Sequence, residues 1–134
     1  MADTYSNTKF TPAWCNAALA TGSTTGDVVD TAGYRSNTLV ILAGLQSASV
    51  TCATPTIYSG SVTGTLTSCA AAELIGTEAA AASGLVGAIT DPGVAEAIGY
   101  IGVSRYVRAD ILVDGAATGV FAAVWVQGDA IEPQ

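Results

Sequence analysis

The sequence predicts an all-β protein, a β-sandwich or jelly-roll-like fold of about eight short strands with at most one short helical turn. Three observations carry this. Short runs rich in Val, Ile and Thr recur between clusters of Gly, Asn, Asp and Ser. The segment 105–127 alternates apolar and other residues with the period of two that a pleated strand imposes. Half of the composition is apolar, yet aromatics are only 7%, so much of that half is small side chains suited to close sheet packing. The length of 134 residues fits one β domain spanning 1–134, with an extended N-terminal arm over 1–13 and a short tail over 129–134.

Residues 1–13 are polar, with Tyr5 and Phe10 spaced along them and Pro12 near the end. A frayed terminus and an arm that docks its aromatics on a neighbouring subunit are both consistent with this stretch. Trp14–Ala20 suits a short strand or a helical turn equally, and 21–26 reads as a Thr/Gly/Ser loop. A short strand over Asp27–Thr31 ends at the turn cluster Gly33-Tyr-Arg-Ser-Asn. Thr38-Leu-Val-Ile-Leu-Ala is a continuous apolar run, the pattern of a strand buried on both faces.

Ala48–Tyr58 is the next strand, and Thr65–Ser68 returns from a turn. A tight turn at Gly60-Ser61 would set Cys52 opposite Cys69 and place Pro55 where its missing N–H costs a ladder bond. A wider turn through Thr63-Gly64 removes both consequences and is preferred, with the cysteines reduced. Ala70–Gly76 has helical propensity for one or two turns, and Glu78–Gly84 reads as a connector. Leu85–Thr90 reads as a weak strand ending at the turn signal Asp91-Pro92-Gly93.

Val94–Val103 is a strand punctuated by Gly99 and Gly102. The last two strands, Arg105–Val113 and Thr118–Gln127, fold about Asp114-Gly115. The second has two apolar faces: Val120, Ala122, Val124 and Val126 on one, Phe121, Ala123 and Trp125 on the other. One face too many is apolar for a lone sandwich. Phe121 and Trp125 are therefore expected under another segment or another subunit.

Charge and residue inventory exclude several functions. The net charge is −7, and the cations are only Lys9, Arg35, Arg105 and Arg108. That argues against nucleic acid as a partner, since no basic stripe can be assembled. Charged residues are 11%, against the usual quarter, which suggests that much of the surface is covered in an assembly. No apolar stretch has the roughly twenty residues of a membrane span. The opening MADTYSNTKF lacks the pattern of a secretory leader, so synthesis in the cytoplasm is expected. With no histidine and only Cys15, Cys52 and Cys69, neither a metal site nor a cofactor is expected.

No candidate catalytic group has a partner. Asp27 and Asp30, three apart on a strand, point to opposite faces. Glu73 and Glu78 read as solvated surface. Cys15 has no base nearby in sequence and reads as a buried thiol. The glycines of Gly99-x-x-Gly102 lie inside a strand pattern rather than before a helix, which suits a bulge or a close backbone approach and not a phosphate loop. Asp110 stands two residues after Arg108 on one strand face, the spacing of an ion pair. Arg105, Tyr106 and Arg108 are the best interaction candidates in so cation-poor a chain. Pairing of these arginines within the chain is an equal alternative.

Four phrases, taken in order, resemble one family. They are Val28-Val-Asp-Thr-Ala-Gly-Tyr-Arg-Ser-Asn-Thr-Leu-Val-Ile, Ala70-Ala-Ala-Glu-Leu-Ile-Gly-Thr, Ile98-Gly-Tyr-Ile-Gly-Val-Ser-Arg-Tyr-Val-Arg and Thr118-Gly-Val-Phe-Ala-Ala-Val-Trp-Val-Gln-Gly. Over about residues 27–128 the chain is similar to small proteins encoded beside the capsid genes of tailed bacteriophages and prophages, among them capsid decoration (cement) proteins. The resemblance implies a non-enzymatic virion protein, a homotrimer on the capsid exterior that clamps the major capsid protein. A head-fibre or tail-associated module that binds a host glycan is the alternative. Interface candidates under either reading are Tyr5, Phe10, Arg105, Tyr106, Arg108, Phe121 and Trp125. The chain departs from the family pattern at Ser59-Gly-Ser-Val-Thr-Gly, where relatives carry an acidic loop.

Overall fold

The structure, a computed structural model, describes residues 7–19, 22–44, 52–87, 93–114 and 119–130. Within them, strands form two antiparallel sheets packed as a sandwich. The first sheet holds, in spatial order, β1 (Lys9–Leu19), β10 (Gly119–Ala130), β4 (Tyr34–Ala43), β8 (Val94–Tyr100) and β7 (Leu74–Ile75). The second holds β2 (Gly22–Thr25), β9 (Tyr106–Asp114), β5 (Cys52–Val62) and β6 (Thr65–Ser68), with β3 (Val29–Asp30) also on β9. The expected arm over 1–13 is already paired from Lys9, which lies opposite Gln127. The expected tail likewise begins inside β10, which continues to Ala130.

Alternation assigns each strand's inner face. Phe121, Ala123 and Trp125 of β10, Leu39 and Ile41 of β4, and Ile98 of β8 point inward and are buried. They meet Val107, Ala109, Ile111 and Val113 of β9 and Ile57 of β5, all fully buried. The cover expected over Phe121 and Trp125 is therefore the second sheet of the same chain. Neither residue is an interface residue: Trp125 is 0% and Phe121 1% exposed.

The inner face of β10 ends in Gln127, also 0% exposed. Its amide nitrogen donates to the Asp30 carbonyl at 2.9 Å and to Asn37 Oδ1 at 3.0 Å. Asp30 belongs to the second sheet, so this side chain ties the two sheets together. A second tie comes from β1. Its register on β10 shifts between Pro12 and Trp14, leaving Ala13 in a bulge whose carbonyl accepts the Asp27 N–H at 3.1 Å. Pro12, which has no N–H to give, sits on an edge strand beside that bulge, where the loss is tolerated.

The helix α1 (Glu78–Gly87) packs against β5 and β8. It replaces the expected connector over 78–84 and the first residues of the strand expected from Leu85. The expected helical stretch before it is only a 3₁₀ turn, Ala71–Glu73. The start signal is Thr77, whose hydroxyl accepts the Ala80 N–H at 3.0 Å ahead of an alanine run of high helix propensity. Buried Ala81 and Leu85 give the helix its inner face. Gly84 leaves room for the Glu96 carboxylate, which would have to swing aside for a Cβ there.

Glu78, read as solvated surface, accepts the Ile57 N–H at 2.6 Å and so satisfies a sheet-edge donor beyond the end of β6. Pro55 has the same parity as Ile57, so its missing N–H faces this edge and not β9. The turn is the wider one: Val62 pairs with Thr65 around Thr63-Gly64. Cys69 donates its N–H to the Ile57 carbonyl and is a free thiol. Cys52, five residues away along β5, is about 16 Å off at strand rise, far beyond the 7 Å a disulfide allows. The turn expected at Asp91-Pro92-Gly93 and the one at Asp114-Gly115 lie largely outside the described residues.

Two stability measurements test this core. Gln127→Leu keeps the volume but leaves the Asp30 carbonyl and Asn37 without their donor. Urea unfolding is expected to show a loss of about 2–4 kcal/mol with an unchanged m-value. Trp125→Ala opens a cavity in the core and is expected to cost about 3–5 kcal/mol.

Candidate functional site

The outer faces of the two sheets differ in chemistry. On the second sheet, β9 and β5 pair so that Arg108 lies opposite Tyr58 and Asp110 opposite Thr56. Arg108 forks onto Asp110, Nε to Oδ1 and Nη2 to Oδ2, each at 2.9 Å, with its guanidinium 4.8 Å from the centre of the Tyr58 ring. Asp110 is 8% exposed and also accepts the Gly26 N–H at 3.1 Å. Gly26 is fixed by crowding, since a Cβ would overlap the Ala109 carbonyl. The pair expected from the Arg108–Asp110 spacing is therefore present, and it is more buried than a surface pair.

Arg105 repeats the arrangement at the strand's start. It donates from Nε and Nη2 to the Asp30 carboxylate at 2.8–3.2 Å and lies 5.1 Å from the centre of the Tyr106 ring. The hydrogen bonds from Arg105 hold the Asp30 carboxyl below its usual value, and the same contact raises the guanidinium. Arg105, Tyr106 and Arg108 thus stand together, but both guanidinium groups are engaged within the chain.

Beside Arg105, a cleft of about 400 Å³ opens between 31–37 and 100–105. Arg35, Tyr34, Asn37 and Tyr100 contribute to its lining. Its loop is pinned by the Thr31 N–H and hydroxyl, both donating to the Arg105 carbonyl at 2.8 Å, and by the Ser104 N–H donating to the Tyr100 hydroxyl at 3.0 Å. Tyr100, Asn37 and Arg105 are engaged within the chain, whereas half-buried Tyr34 and exposed Arg35 are lining side chains suited to hydrogen-bonding an anionic or polyhydroxylated ligand. A smaller cavity of about 210 Å³ includes Cys69, Leu74 and Glu78 in its lining. Burial pushes the Cys69 thiol up, which leaves it protonated and poorly nucleophilic at neutral pH. Among the described residues no three His, Cys, Asp or Glu side chains form a metal cluster, and no helix is long and apolar enough to cross a membrane.

The outer face of the first sheet is dry. One row across it runs Phe10, Val126, Thr38, Gly99 and Ile75. The next runs Pro12, Val124, Val40 and Ala97, and a third Ala122, Leu42 and Ala95. These rows hold no charged residue. Phe10 is 63%, Ile75 61% and Leu42 51% exposed. The surplus apolar face of β10 is thus the valine face and not the aromatic one. Of the residues singled out in the sequence, Phe10 lies on it, while Tyr5 lies outside the described residues.

The fold and these surfaces define an all-β sandwich with one polar and one apolar outer face. No family model matches the chain, and no curated protein matches it. Among solved structures, the SPBc2 prophage-derived protein YomS is similar at 15% identity, with a TM-score of 0.43 over 92% of this chain and 94% of that one. Dimeric latent PorU from Porphyromonas gingivalis is similar at 14% identity, with a TM-score of 0.24 over 95% of this chain and 11% of that one.

The Asp30–Arg105 contact makes a pH prediction. A carboxyl held below its unfolded value of 3.8 stabilises the fold above that pH and loses its contribution as pH falls through the folded value. The melting temperature of the wild type is expected to exceed that of Asp30→Asn by a constant margin at neutral pH. The margin is expected to shrink once the pH drops below 3.8.

Proposed function

We propose that this protein is a structural, non-catalytic virion component, a decoration (cement) protein on the capsid exterior of a tailed bacteriophage. In this reading it assembles as a homotrimer, is made in the host cytoplasm, and contacts the major capsid protein. The observation that carries the reading is the dry outer face of the first sheet, uncharged on a chain of net charge −7. Apolar patches of several hundred Å² on a folded protein mark contact surfaces. The four sequence phrases similar to head-cluster proteins supply the particle. An oligomer of this kind acts by avidity, adding modest contacts at several subunits at once.

A second reading, a head-fibre or tail-associated module that binds a host glycan, draws on the cleft beside Arg105, whose lining includes Tyr34 and Arg35. The two readings separate cleanly in one experiment. Mixed with purified capsids, the protein is expected to bind expanded but not unexpanded shells, at threefold lattice sites in a reconstruction. Density confined to the portal or tail, or glycan binding without capsids, would overturn the decoration reading.

A further inference from the structure

We infer that the dry face of the first sheet is the surface through which copies of this chain join one another, so that its occupant is a second copy. The inference deepens the proposed assembly role by assigning a partner to one face, and it does not depend on the capsid.

Three observations carry it. First, β4 and β10 are adjacent in the sheet, and both have the sequence pattern of strands buried on two sides. Leu39–Ala43 is apolar throughout, and β10 alternates two apolar sets. One copy buries only one side of each: Leu39 and Ile41 are 0% exposed, whereas Leu42 is 51% exposed. The other side is covered only when a further layer packs on it. A pattern of this kind belongs to strands with both faces in a protein interior.

Second, charge favours a like partner. A chain of net charge −7 repels its copies wherever acidic groups face one another. The rows of the dry face exclude charge, so this is a surface at which two copies approach without repulsion. A partner of different sequence is more often met through complementary charge at the contact, and this face has none to offer. Interfaces between identical subunits are also the more apolar class.

Third, the dimensions suffice. Strands about 4.8 Å apart and about seven residues of overlap at 3.3 Å each give roughly 450 Å² over β1, β10, β4 and β8, and the short β7 brings the footprint to about 500 Å². Two such faces together cover about 1,000 Å², the lower bound for a specific interface. The small residues Ala95, Ala97, Ala122 and Gly99 keep the face flat enough for the roughly 10 Å separation of packed sheets.

The test is the mass of the purified full chain by light scattering across a concentration series. The wild type is expected at a multiple of its 13.3 kDa. Leu42→Glu, and separately Phe10→Glu at the sheet edge, are expected at the single-chain mass with unchanged far-UV circular dichroism. Leu112→Glu, 45% exposed on the opposite outer face, is expected to keep the wild-type mass. A wild type at single-chain mass throughout, or Leu42→Glu and Phe10→Glu variants that stay oligomeric, would overturn the inference. A monomeric wild type whose capsid attachment is lost in Leu42→Glu would assign this face to the capsid instead, overturning the inference while leaving the decoration reading intact.

Discussion

Gln127 decides which way strand β10 faces, and the rest of the sandwich follows from that choice. The two apolar faces of β10 are close in what they gain from burial: valines on one side, Phe121 and Trp125 on the other, at about 1.5–3 kcal/mol for each large side chain. Area alone does not separate them. A slip of one residue would exchange the faces and would carry Gln127 out of the interior. In the observed register its amide meets the Asp30 carbonyl and Asn37 Oδ1, so a fully buried polar group has its donors used. The same contacts connect the sheets, because Asp30 lies on the second one. The aromatic face is thereby the core, and the valine face is left outside.

This is also where the sequence was hardest to read. Alternation in β9 and β10 identified both strands and sorted their residues into the right two sets. It gave no means of ranking one apolar set above the other, because the deciding partners, Asn37 and the Asp30 carbonyl, lie about 90 residues away in sequence. Phe121 and Trp125 drew attention as interface residues for their size, and size is what makes them core. The helix α1 was legible in principle, since Thr77 ahead of a run of alanines is a cap signal. It was obscured because alanine and serine read equally well as a connector until Ile57 and Glu96 are known to stand beside it. β2 could not have been read from Gly22–Thr25, whose pairing with β9 depends on tertiary contact and not on propensity.

The few charges of the chain are placed, not merely scarce. Arg105 with Asp30 and Arg108 with Asp110 each combine a forked ion pair with an aromatic ring, and both lie along β9. The exposed Arg105–Asp30 pair stabilises only slightly, and both pairs fix side chains and give the second sheet a hydrated outer surface. Tyr58, Tyr106 and the threonines of β5 complete that surface. The sequence placed Arg108 and Asp110 on one strand face and left open whether Arg105 and Arg108 served a partner or the chain. The forked geometry shows them used within the chain.

The two outer faces then have a common cause. In an antiparallel sandwich, each strand offers one side to the core and one to the outside, and outer sides are ordinarily polar. Here that rule holds for the second sheet and fails for the first, where the rows crossing β1, β10, β4 and β8 carry no charge. An acidic chain that solvated both faces would have no surface on which to meet its own kind without repulsion. One that left both faces apolar would aggregate. Keeping charge off the outward rows of the first sheet resolves the conflict, because the proposed contact between copies is then limited to that face while Arg108 and Asp110 keep the outer face of the second sheet hydrated. The low charge fraction of the sequence is therefore an uneven distribution rather than a uniform thinning. The valines of β10 and the outward residues of β4 are the places where the physical argument for assembly rests.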